Sequence, residues 1–301
     1  MPDKLAALLA VTPLQPAPRL AQWLAHWRHT QAVAGADSFA AAVLGGLAAD
    51  RVAWAFFAGY QAAVQALVPG LPAGIARAFA ATEGGKTRAE ELATEAIPSA
   101  DGWRLSGAKS WVLLGADCDE LLVLARAAGQ AVLLQVPANT AGLEFGDTKP
   151  LAFIPELPHS AVRLHQLALP TTAKLVVPGS RPAALRFRTL EDILVTTASL
   201  AYLWRQACTH QWPDDIGAQL FALLLGLRGL LAAEDDVATR FTLDGLLCQG
   251  RALQQQVAAL WPPEHSEEAA RWHRDRPLAL LGERVHASRR ARGWQTLGQQ
   301  R

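Results

Sequence analysis

Ala81-Thr82-Glu83-Gly84-Gly85 and Asp101-Gly102-Trp103-Arg104-Leu105-Ser106-Gly107-Ala108-Lys109-Ser110-Trp111-Val112-Leu113-Leu114-Gly115 decide the fold. Asp101-Gly102 is a turn signal followed by Trp103 and Leu105, and Gly107 reads as a second turn, followed by Trp111 and Val112. This pattern predicts consecutive antiparallel strands over 102–105 and 110–114, apolar at period two. Further strands are expected at 120–125, 131–136, 143–145 and 161–169, with Pro98, Gly129, Pro137, Gly142, Pro150, Pro155 and Pro158 in the intervals. Short strands at regular spacing, over about a hundred residues, predict a small sandwich or barrel.

Outward from this region the period changes to that of helices. Leu20, Trp23, Leu24 and Trp27 recur at three- and four-residue steps, and Ala-rich 39–67 predicts one long or two short helices, stopped by Pro69-Gly70. Beyond the boundary at Pro178-Gly179, helical periodicity runs over 190–209, 216–233, 237–260 and 267–295, interrupted by Trp212-Pro213-Asp214 and Trp261-Pro262-Pro263. Short connections between four helices imply an antiparallel bundle. The expected fold is therefore α+β: N-terminal helices over 1–78, a small antiparallel β domain over 79–178, and a four-helix bundle over 179–301.

Composition bounds the function. In 301 residues, 51% are hydrophobic and 18% charged, enough for a large buried core. A net charge of +1 gives nothing that would attract nucleic acid or an anionic membrane. Cys118, Cys208 and Cys248 are too widely spaced for a zinc cluster and odd in number, which fits a reducing compartment, so the cytoplasm is expected. Asp3 and the Pro13, Pro16, Pro18 run do not fit a signal peptide. The apolar run 216–233 contains Arg228 and three glycines, so it reads as a buried helix and no membrane span is expected. No Gly-x-Gly-x-x-Gly, P-loop, metal-ligand or nucleophile spacing occurs.

The Thr-Glu-Gly turn followed by Asp-Gly-x-x-Leu-x-Gly-x-Lys-x-Trp resembles the middle domain of acyl-CoA dehydrogenases, and the order helices, β domain, bundle is similar to that family's. The resemblance implies a shortened, divergent member. It implies FAD as cofactor, an acyl-CoA or other acyl thioester as substrate, and a homo-oligomer or paired subunit. It assigns Thr82, Glu83 and Gly84 to the flavin's pyrimidine edge, Trp111 to its ring, and Leu113 to the position where relatives carry a Thr hydroxyl. A Leu offers no donor there. Relatives also carry Ser-Asp where this chain has Lys86-Thr87-Arg88.

The base that removes the α-proton is a Glu late in most relatives, but Arg274-Asp275 here leads into Arg276-Pro277-Leu278-Ala279-Leu280-Leu281-Gly282, without a carboxylate. Isovaleryl- and long-chain-type relatives supply it from the first bundle helix. Thr189-Leu190-Glu191-Asp192-Ile193-Leu194 resembles that run, which implies Glu191 as the base, with Asp192 in place of the usual Arg. The alternative is that Glu191 and Asp192 are first-turn carboxylates behind a Thr189 cap. Arg186-Phe187-Arg188 is a candidate for the pyrophosphate. His159 and His165 read as surface or satisfied histidines, and Arg289, Arg290 and Arg292 as a solvated or subunit-facing helix. Three functions stay open: a dehydrogenase, a non-catalytic scaffold or partner subunit of the same fold, and an acyl-thioester binder without redox chemistry.

Overall fold

The computed structural model describes residues 2–84, 91–148, 150–179, 181–261, 267–280 and 282–298. Gly85, Lys86-Thr87-Arg88, Pro262-Pro263 and Leu281, named above, lie outside them. The chain forms two compact units: residues 1–63, 152–154 and 189–301 in one, 64–151 and 155–188 in the other.

In the helical unit, α1 (Pro2–Leu8), α2 (Leu20–Ala34), α3 (Ser38–Ala48) and α4 (Val52–Leu67) come first. α2 buries Trp23 and Trp27 and ends at Gly35, whose φ of 61° only glycine adopts at low cost. Asp37 caps α3 by accepting the Ala40 amide at 3.0 Å. The 39–67 stretch is two helices, broken at Asp50-Arg51. The break has a job: the Asp50 carboxylate accepts the Ala17 amide at 3.0 Å and Trp54 Nε1 donates to the Ala17 carbonyl at 2.8 Å, which pins the proline-rich lead-in.

The later helices are α5 (Ala183–Thr209), α6 (Asp214–Leu231), α7 (Val237–Gln256), α8 (Glu267–Asp275) and α9 (Glu283–Gly298). The expected single helix over 267–295 is broken by a 3-10 turn at Arg276–Leu280. Pro277 lacks the amide that a continuous helix needs, and Gly282 takes a left-handed φ of 85°.

The helices pack closely where side chains vanish. A Cβ on Gly59 would sit 2.5 Å from Val195 Cα and 2.6 Å from the Leu194 carbonyl oxygen, both backbone atoms that cannot swing aside. Gly59→Ala is therefore expected to lower the melting temperature. The helix-propensity gain of about 1 kcal/mol is outweighed by overpacking of about 1–3 kcal/mol or more. Gly229→Ala, where nothing lies within 4 Å, should raise it instead; thermal denaturation of the two variants checks the opposite signs.

The other unit is built on one eight-stranded sheet: β1 (Arg77–Ala80), β2 (Glu95–Ser99), β3 (Gly102–Leu113), β4 (Glu120–Ala127), β5 (Gln130–Pro137), β6 (Leu143–Phe145), β7 (His159–Pro170) and β8 (Lys174–Leu175). The order is β6-β7-β3-β2-β4-β5-β8, so the described strands make one sheet and not a two-sheet sandwich. Pairing is mainly antiparallel. β1 and β2 lie along the same edge of β4, in parallel, β1 at 120–123 and β2 at Arg126.

The two strands expected on either side of Gly107 are a single strand, β3. Gly107 lies within the strand and not at a turn, with φ 147°, because its Cα packs on Thr94: a Cβ would lie 2.5 Å from Thr94 Oγ1, and the bulge beside it is on β7, where His165 and Gln166 together oppose Ser106. β1, β2 and β8 were not expected from the pattern. Each is short, and β2, Glu-Ala-Ile-Pro-Ser, is largely exposed and carries a proline, so no alternation marks it.

Candidate functional site

β3 is the spine of the candidate site. Its second register shift against β7 falls between Lys109 and Val112, so Ser110 and Trp111 together oppose one residue. Trp111 adopts φ 59°, uncommon for an aromatic residue, and this turns its indole off the sheet, where it is 58% exposed. His159 meets the indole edge-on, with ring centroids 6.3 Å apart. Burial lowers the pKa of His159, opposed by its Nδ1 contact with the Leu157 carbonyl at 3.0 Å, so it is a neutral, satisfied ring at pH 7. His165 is exposed and faces Glu144 at 3.3 Å.

Two residues after Trp111 the sheet closes again. Val112, Leu113 and Leu114 are all buried, Leu113 at 3% exposure. Leu114 carries φ 67° and its amide donates to the Pro158 carbonyl at 2.7 Å. Ser160 Oγ, beside Gly115, is buried with no hydrogen-bond partner among the described residues.

Thr82, Glu83 and Gly84 stand next to β3. The Thr82 carbonyl accepts the Ser110 amide at 2.9 Å and the Ser110 hydroxyl at 3.1 Å. Gly84 is exposed at φ 55°, with nothing within 4 Å of where a Cβ would sit. The Glu83 carboxylate points the other way, receiving Lys109 Nζ at 2.6 Å and the Ala93 and Thr94 amides at 2.6 and 3.1 Å. Burial alone would raise its pKa, but the Lys109 and Thr94 hydrogen bonds and the Ala93 amide hold it below the ordinary carboxylate value. Phe187 of the candidate Arg186-Phe187-Arg188 run is buried against Phe79, with ring centroids 4.4 Å apart.

Glu191 belongs to the helical unit, half-buried in α5. The alternative of a first-turn carboxylate behind a Thr189 cap is overturned. α5 starts at Ala183, where the Pro182 carbonyl accepts the Leu185 and Arg186 amides at 3.0 Å, and Thr189 is inside the helix. Glu191 and Asp192 therefore lie in the third turn, beyond the reach of the helix-terminal dipole.

Asp192 has partners of another kind. Arg289 Nη2 donates to it at 2.8 Å and His286 Nε2 lies 3.3 Å away, while Arg289 Nη1 reaches Asp244 at 3.3 Å. Burial would raise the Asp192 pKa, but the His286 hydrogen bond and the Arg289 charge keep it low. Asp244, fully buried, is pushed up by burial despite Arg289, and its Oδ2 finds no hydrogen-bond partner among the described residues. Arg251 and Arg290 extend the network to Cys248 and Glu283. The expectation of a solvated or subunit-facing arginine helix fails at Arg289, which is 7% exposed. Among the described residues no group of His, Cys, Asp and Glu is arranged to hold a metal ion, and no helix is long and apolar enough to cross a membrane.

Helices before and after a central sheet of this kind form the acyl-CoA dehydrogenase fold. Residues 78–167 match the sequence profile of the family described as acyl-CoA dehydrogenase, middle domain. The structure of the apo form of PigA superposes with a TM-score of 0.72 at 13% identity, over 99% of this chain and 96% of that one. Glutaryl-CoA dehydrogenase from Mycobacterium smegmatis gives 0.65 at 17% identity over 99% and 93%, and acyl-CoA dehydrogenase from Geobacillus kaustophilus 0.64 at 14% over 91% and 92%. No curated protein sequence matches the chain. The chain is thus similar to acyl-CoA dehydrogenases in fold along its length and in sequence over residues 78–167.

Proposed function

We propose that this chain is an acyl-CoA dehydrogenase-like flavoprotein acting on an acyl thioester. The observation that carries the reading is Trp111. A large indole 58% exposed on a left-handed bulge is a costly feature for a sheet surface, and such features collect where a ligand is received. A flat aromatic face beside a rigid strand suits a stacked ring system.

Thr82, Gly84 and Trp111 fit the isoalloxazine of FAD and are the residues that would hold it: an open glycine, a backbone fixed by Ser110, and a free indole. Glu83 and Leu113 fit less directly, since one is turned inward to Lys109 and the other is core. Bound FAD supplies the hydride acceptor. Glu191 takes the α-proton of the thioester, its carboxylate being the one the resemblance assigns as base. Support comes from the family profile over 78–167 and from related folds whose structures contain the group, glutaryl-CoA dehydrogenase with FADH2 and PigA with FAD and proline. The reading includes a cytoplasmic homo-oligomer or paired subunit, with segments 1–78, 79–178 and 179–301 as its functional divisions.

The second reading is a non-catalytic scaffold of the same fold, and Leu113 favours it. Its side chain is hydrocarbon and 3% exposed, so the position has no donor for a flavin. The absorption spectrum of the purified protein separates the two. A flavin band near one per chain, present on isolation or after adding FAD, is expected; a colourless protein that takes up none rejects the first reading.

A further inference from the structure

The fully buried ammonium of Lys109 fills a hole in the sheet. β1 pairs with β4 up to Ala80 opposite Val123, and β2 resumes on the same edge at Glu95 opposite Arg126. Between them the chain leaves at Ala81 and returns at Thr94, so among the described residues Leu124 and Ala125 have no strand paired with them on that edge. A sheet with a two-residue gap leaves carbonyls without donors, which is costly in a core. Lys109 donates to the Leu124 carbonyl in this gap, to the Ala81 carbonyl at 3.5 Å and to Glu83 at 2.6 Å. Its side chain is 0% exposed. Burial pulls its pKa down, and Glu83 opposes that shift.

The carboxylate completes the closure. Glu83 lies on the outgoing side and accepts both amides of the returning side, Ala93 and Thr94. Thr94 Oγ1 then donates to the Ala108 carbonyl at 3.3 Å, and the Thr94 carbonyl accepts the Arg126 amide at 2.9 Å. Successive residues of β3 thus each hold the stem of the excursion: Ala108 takes Thr94, Lys109 takes Glu83, and Ser110 takes Thr82. Trp111 is the next residue on that strand.

We infer that Lys109 and Glu83 are positioning residues that lock the Thr82 stem in register with the Trp111 bulge, and that Glu83 serves the cradle without touching its ligand. This deepens the flavoprotein reading and rests on it for the identity of the ligand. The ion pair sets the spacing between backbone at Thr82 and indole at Trp111. Because the two side chains are only 0% and 10% exposed and are engaged by each other and by backbone groups, neither charge is available to a ligand.

The test compares Lys109→Met, Glu83→Gln and the double variant with the parent. Lys109→Met alone leaves a partly buried carboxylate without its cation and is the variant most prone to unfold; the double variant removes both charges together. In the folded double variant, amide hydrogen exchange at Ala93 and Thr94 should quicken by at least about tenfold. Amides in the β4–β5 hairpin should keep their protection, and the Kd for FAD should rise by at least about tenfold. Retained protection at Ala93 and Thr94 overturns the lock. Lost protection with an unchanged Kd overturns the positioning role. A parent that binds no FAD defeats the flavin reading, and the lock then stands or falls on the exchange rates alone.

Discussion

Arg289→Met is expected to cost about 3–5 kcal/mol of stability, the usual consequence of removing one member of a buried ion network. Arg289 donates a hydrogen bond to both Asp192 and Asp244, at 2.8 and 3.3 Å. Methionine keeps most of the hydrocarbon stem, so the loss is of charge and hydrogen bonds and not of volume. What remains is Asp192, dependent on His286, and Asp244, which is fully buried and already short of one partner.

The deficit should depend on pH, and its sign follows from the two carboxylates. Asp192 is held low in the folded chain, so its contribution is present above its unfolded pKa and lost as pH falls. Asp244 is raised, so it favours the folded state below its unfolded pKa, and that benefit is lost as pH rises through its folded value. Without Arg289 both groups bind protons more readily in the folded state. The stability gap between parent and variant should therefore be widest near pH 7.5 and narrow toward pH 5, read from urea midpoints at the two values. A gap that widens on acidification would refute the assignment of Arg289 as the neutralising charge. Adding Asp192→Asn and Asp244→Asn to Arg289→Met should recover part of the loss, since no bare carboxylate is then left in the core.

How far the sequence foretold this depends on whether a feature is local. The strands at 120–125, 131–136, 143–145 and 161–169 lie within the observed β4 to β7, because each buries an apolar face against its neighbours and alternation records that. Gly107 misled because its left-handed φ serves a close approach to Thr94, thirteen residues earlier in the chain, which no turn rule contains. The start of α5 was placed late for a similar reason. Residues 183–188 place Leu185 and Phe187 alternately with Arg186 and Arg188, a period of two that does not read as a helix, yet Pro182 starts the helix there.

The charged network had a readable trace in spacing. Asp244, Cys248 and Arg251 recur at steps of four and three, and Glu283, His286 and Arg290 at three and four, so each set is one helix face. Polar stripes of this kind usually face water. That these face one another is a property of packing, and only coordinates supply it. Lys109 was visible in the Gly-x-Lys-x-Trp motif, but its meaning was not: a lysine in a strand reads as an outward charge, and its burial follows from the gap between β1 and β2.

Glu191→Gln is expected to reduce turnover of an acyl-CoA by about a thousandfold or more while leaving bound flavin unchanged. A positioned general base contributes about 10²–10⁴ to rate, and glutamine keeps the shape and the helix propensity of glutamate while losing its ability to take a proton. Glu191 is in the third turn of α5, so it does not cap the helix or complement its N-terminal dipole, and its removal should not unravel the helix. Its neighbour Asp192 carries the structural burden through Arg289 and His286. The two adjacent carboxylates should therefore separate by assay. Asp192→Asn should lower stability, with any loss of rate following from that. Glu191→Gln should lose rate with the flavin retained, and Glu191→Asp, which keeps a carboxylate one methylene shorter, should restore part of it. Unaltered turnover in Glu191→Gln would remove this residue from the chemistry and leave α5 without a base. Taken with a flavin-bearing parent, that result would keep the dehydrogenase and assign the α-proton to another group.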